Sequence, residues 1–185
     1  MSNVWQVGFA SEEICVPGAT ISGTAVGVAV VQATRGGILV RSLETIGNAD
    51  LARRARHLCM DIGNRYDEQP RVCGPFQPGD CWHAPFAQCT PTVADLERLR
   101  ALLEAGTVRL ANGHEKIHRP NSYVAPALPM DPPVTAFLEA RSAILAGGDP
   151  GPVGLALAAA VHGLDPIPDP PAAPAPMPGY STGPR

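Results

Sequence analysis

The stretch Thr24-Ala25-Val26-Gly27-Val28-Ala29-Val30-Val31-Gln32-Ala33 decides how the rest of the chain is read. It is rich in valine and apolar nearly throughout, which is the signature of a strand in the middle of a sheet with both faces covered. Gly27 interrupts it, and a glycine inside a strand marks a bulge or a close approach of another backbone. Thr34-Arg35-Gly36 follows, and then a second apolar run from Gly37 to Leu43, so the pair reads as a hairpin. Upstream, Val4-Trp5-Gln6-Val7-Gly8-Phe9 is a further short strand, separated by turns at Pro17-Gly18 and Ser22-Gly23. Residues 4–43 are therefore expected to be β structure.

Two helices follow at legible spacing. Over residues 49–62, Leu51, Ala55, Leu58, Cys59 and Ile62 form one apolar stripe, with Asn48 as the expected N-cap. Arg53, Arg54, Arg56 and Asp61 face away, and Cys59 reads as a small buried hydrophobe. Over residues 92–105, Val93, Leu96, Leu99, Leu102 and Leu103 repeat in the same way. Thr92 and Asp95 supply a capping box, and Gly106 supplies a stop. Val108 to Leu110, Asn112-Gly113 and the segment ending at His118 suggest a small hairpin. Residues 133–146 and 152–162 read as two short helices, the second apolar all round and hence buried in this domain or against a partner.

Strands first and helices afterwards make the expected class α+β: an N-terminal antiparallel sheet packed by helices, with a C-terminal helical pair. Residues 1–164 are expected to form one domain. Residues 165–185, which are proline, alanine and glycine with scattered polar side chains, form an extended or disordered tail.

Residues 64–91 hold Pro70, Pro75, Pro78, Pro85 and Pro91 and show no period, so they read as a long loop tied down by something. The tie is expected from Cys73-x7-Cys81-x-His83-x5-Cys89, since three thiolates and an imidazole are the ligand count and chemistry of a structural zinc. The gaps lack the CxxC knuckle, and idle buried thiols, a disulfide or an iron–sulfur cluster are the alternatives. A nucleophilic cysteine is a further one, with Cys81 beside His83 or His114.

His114-Glu115-Lys116-Ile117-His118 matches the string HExxH, which binds zinc only on a helix. Gly113 before it and Pro120 after it argue for a strand, where the two imidazoles stand roughly 13 Å apart. Bonds of about 2 Å do not bridge that distance.

A net charge of −3 offers no general attraction for nucleic acid. No run reaches the roughly 18 apolar residues of a membrane span, and the N-terminus lacks the features of a signal peptide. The expected setting is cytoplasmic, without membrane or nucleic-acid partners. The expected role is a non-enzymatic structural or accessory subunit of a larger assembly, bound to a protein partner or to itself. A small zinc- or cysteine-dependent hydrolase is the alternative.

Overall fold

The computed structural model describes residues 4–10, 25–75, 84–111 and 133–164. Six strands form one mixed sheet: β1 (Val4–Ala10), β2 (Ala25–Thr34), β3 (Gly37–Gly47), β4 (Arg71–Gly74), β5 (Phe86–Gln88) and β6 (Val108–Leu110). Their order across the sheet is β5-β4-β1-β2-β3-β6. Four α-helices complete the fold: α1 (Leu51–Tyr66), α2 (Val93–Glu104), α3 (Val134–Ala146) and α4 (Gly151–His162). The class is α+β, with the N-terminal antiparallel strands and the C-terminal helical pair in place. Among the described residues no single helix is long and apolar enough to cross a membrane.

The valine-rich stretch is β2, at the centre of the sheet and covered on both faces. Val26, Val28 and Val30 join Trp5, Val7 and Phe9 of β1 in one cluster, which the α1 stripe Leu51, Leu58, Cys59 and Ile62 closes. Ala29, Val31 and Ala33 point to the other face, where α2, α3 and α4 lie. A register shift opposite Val30 and Val31 leaves Arg41 of β3 as an extra residue. That bulge keeps Val40 and Leu43 on one face although they are three apart, so both enter the α4-side core. Arg41 turns to the opposite side, where Nε donates to Gln32 Oε1 (3.0 Å) and the guanidinium lies 5.7 Å from the centroid of the Trp5 ring.

The α4 face is built differently. A Cβ on Gly8 would lie 2.6 Å from the Ala156 carbonyl oxygen, and one on Gly27 would lie 2.7 Å from the Val153 nitrogen. Helix α4 therefore rests its backbone directly on β1 and β2, which only glycine at these two positions permits. This is why an all-apolar helix of small residues suits the chain. Ala156, Leu157, Ala158, Ala159, Ala160 and Val161 are all buried within the domain, so α4 needs no partner to leave water.

Several expectations are corrected. Asn48 is not the cap of α1: a short 3-10 turn over Asn48–Asp50 precedes it, and its N-terminus has no side-chain cap. The helix runs on to Tyr66 and ends at Asp67, whose backbone is left-handed (φ 53°). The supposed loop 64–91 contains β4 and β5, which extend the sheet in parallel from β1. Segments of three or four residues are too short to show a period, and long-range pairing alone makes them strands. Likewise β6 pairs in parallel with β3. The proposed second arm of its hairpin, with His114, Glu115 and His118, lies outside the described residues, as does the tail 165–185.

Candidate functional site

Strands β1, β4 and β5 run parallel to one another, so their carboxyl ends open on the same edge of the sheet. Such an edge is where open sheets with parallel strands accept ligands. The start of α4 reaches it too, because Gly27 pairs with Ala10 at the end of β1 and touches Pro152. Asp149 stands just before that helix, and its Oδ1 accepts from the Gly151 N–H (2.9 Å).

Cys73 and Cys89 belong to the α4 face of this region. Cys73 is paired in register with Ala87 of β5, so Cys89, two residues on, is its diagonal neighbour on the same face. The Cys89 N–H also donates to the Gly74 carbonyl (2.8 Å), which anchors the chain after β5. Both thiols are buried, and they cluster with Ala159 of α4. The two side chains lie against each other, and the Cys89 sulfur also faces the Ala159 carbonyl oxygen (4.0 Å). That contact and burial push the Cys73 thiol far above its usual range. The same contact, with help from His162, holds Cys89 below its own.

A polar seam borders the pair. The His162 Nδ1 at the end of α4 donates to Asp95 Oδ1 (2.8 Å) in the first turn of α2. Thr92 caps that helix: its hydroxyl and its backbone N–H both reach Asp95 Oδ2 (2.7 and 2.8 Å), and the Asp95 N–H donates back to Thr92 Oγ1 (3.3 Å). Partial burial raises the Asp95 carboxyl, but the bonds from Thr92 and His162 outweigh it and hold the group below its ordinary value. Beneath lies Gln6, a fully buried amide in the middle of β1. Oriented to satisfy both neighbours, it donates to the Gly163 carbonyl (3.1 Å) and accepts from the Cys73 N–H (3.2 Å).

Of the four residues expected to hold zinc, Cys73 and Cys89 are brought into contact, while Cys81 and His83 lie outside the described residues. Cys59 sits across the sheet in the α1 cluster, as its place on the apolar stripe predicts. Among the described residues no group of three or more His, Cys, Asp or Glu side chains is placed to hold a metal ion. Sequence reasoning missed His162 and Gln6, and read Asp95 only as a cap. The signal for His162 was its place at the end of an otherwise apolar helix. For Gln6 it was a lone amide amid valines.

No family model matches the chain, and no curated protein matches it. Among solved structures, the chain is similar to the nuclease domain of the human cytomegalovirus terminase, in a manganese-soaked, inhibitor-bound form. The match has a TM-score of 0.50 at 15% sequence identity, and covers 88% of this chain and 84% of that domain. At this identity the likeness shows the fold alone. It nonetheless overturns the expectation of a non-enzymatic structural or accessory subunit. That expectation leaned on α4 as a helix in search of a partner, whereas α4 is core within an arrangement shared with an enzyme domain.

Proposed function

We propose that this chain is an enzyme, a hydrolase of the nuclease type that cleaves phosphodiester bonds in nucleic acid. The observation that carries the reading is the whole-domain likeness to a terminase nuclease domain, spanning nearly all of both chains. The shared carboxyl edge of β1, β4 and β5 is the place we assign to the substrate. Helix α1 adds little on charge: of its four arginines (Arg53, Arg54, Arg56, Arg65), Arg53 is paired with Asp50 (2.6 Å) and Arg54 with Glu44 (2.7 Å).

The similar domain was soaked with manganese, and a divalent cation is the matching proposal here. The described residues do not by themselves form a cation site, so no step of the reaction is assigned to one. The carboxylates to substitute first are Asp149, before α4, and Glu12 and Glu13, the next acids in the chain after β1.

The test is direct. Purified protein is incubated with plasmid DNA, single-stranded DNA and RNA, in manganese or magnesium and with a chelator. Cation-dependent cleavage that Asp149→Ala or the double variant Glu12→Ala, Glu13→Ala abolishes is the expected result. A folded chain that leaves all three substrates intact with either cation sinks the reading.

A further inference from the structure

We propose that Cys73 and Cys89 form a redox-modification site, a dithiol that a peroxide closes to a disulfide and a small dithiol reopens. The inference stands on contact and goes beyond the hydrolase reading. Cys73 of β4 and Cys89, the residue just after β5, cluster on one face of the sheet under Ala159 of α4, whose carbonyl oxygen lies 4.0 Å from the Cys89 sulfur. Cys73 is sealed at 0% exposure, while Cys89 retains 8% and is the member that a molecule as small as hydrogen peroxide reaches. Cys59 is shielded from the pair by the sheet, since it packs in the α1 cluster on the opposite face.

The chemistry balances with peroxide as the oxidant. The Cys89 sulfur, as thiolate, attacks one peroxide oxygen; the O–O bond breaks, hydroxide leaves, and Cys89 carries a sulfenic acid. The Cys73 sulfur then attacks the Cys89 sulfur, the S–O bond breaks, and water departs with the proton that Cys73 surrenders. Two electrons have passed from the sulfurs to the peroxide, and a reducing dithiol returns them by exchange.

Geometry sets the consequence. A disulfide holds its two Cα atoms within about 6.8 Å, so closing this one pins the segment after β5 to β4. That segment can give way, because β5 is a three-residue edge strand with Ala87 and Gln88 exposed. It leads within four residues to Thr92, the cap of α2.

The experiment uses the full chain. The protein is treated with a slight excess of hydrogen peroxide, its free thiols are counted, and its peptides are mapped by mass spectrometry without reduction. We expect free thiols to fall from five to three, a Cys73–Cys89 peptide link, and full recovery with dithiothreitol. In Cys73→Ser, the Cys89 sulfenic acid should persist and be trapped by dimedone. Because Cys73→Ser alters a core position and can fail to fold, the wild-type peptide map decides by itself. A link from Cys89 to Cys81 or Cys15, oxidation of Cys89 to sulfinic acid without a link, or a zinc ion that shields both thiols until chelated would each overturn the proposal.

Discussion

The two faces of the sheet bury their side chains by opposite means. On the α1 face, large side chains meet large side chains: Leu51, Leu58 and Ile62 against Trp5, Val7, Phe9 and the valines of β2. Each such residue contributes roughly 1.5–3 kcal/mol by leaving water, and the layer spacing is set by side-chain volume. On the α4 face, backbone meets backbone at Gly8 and Gly27, and the helix supplies alanines. An interface of the first kind can absorb a change of shape by choosing other rotamers. An interface of the second kind has none to choose.

The comparison is broken most directly at Gly8. Gly8→Val should destabilise by more than about 4 kcal/mol, above the usual 1–3 kcal/mol of overpacking, because the obstacle is helix backbone rather than a movable side chain. Thermal or denaturant unfolding checks it, and a loss under about 1 kcal/mol would show that α4 can lift away. On the other face, Leu58→Ala should cost about 3 kcal/mol, as for a buried leucine leaving a cavity. Leu58→Met should cost less than about 1.5 kcal/mol. If Leu58→Met proves costlier than Gly8→Ala, the contrast between the faces is wrong.

The α4 face also carries the polar groups, and two smaller effects sharpen that point. Gln6→Leu should lose about 2 kcal/mol, since it leaves the Gly163 carbonyl and the Cys73 N–H buried without the amide that joins them. Slower unfolding of the variant, or no change in midpoint, would remove the amide from the account. The smallest effect is a pH dependence. The Asp95 carboxyl is held below its ordinary value in the folded chain. Its contribution is therefore fully present above the unfolded value near 4 and is lost as pH falls through the lower folded one. Asp95→Asn should flatten this part of the stability curve in acid titrations. An unchanged acid limb would assign the dependence to other carboxylates.

Much of the fold was readable because it is locally encoded. The stripe Leu51, Ala55, Leu58, Ile62 and the pair Thr92 and Asp95 declare their helices within a few residues, and the capping box is present as read. The valine run announced a strand with both faces covered, and that is where β2 lies. The role was misread at α4, where composition shows that a helix is buried but not by what. Among the thiols, Cys59 was placed by its period, whereas the spacing of Cys73 and Cys89 carried no hint that they meet under Ala159 of α4.

Sequence by itself thus determined which segments are helical and which strand is central, since each follows from neighbours along the chain, but it also assigned Val93 of α2 to the buried stripe, where the fold leaves it exposed. Only the tertiary structure decided that Arg71–Gly74 and Phe86–Gln88 are strands, that Arg41 is the residue left over in β3, and that Gly8 and Gly27 receive a helix. It also decided that two cysteines sixteen residues apart lie together under Ala159. The physical reason is range. Periodicity and capping act over a turn or two of chain. Strand pairing, backbone contact and the burial of a thiol are settled by what arrives from far along the chain.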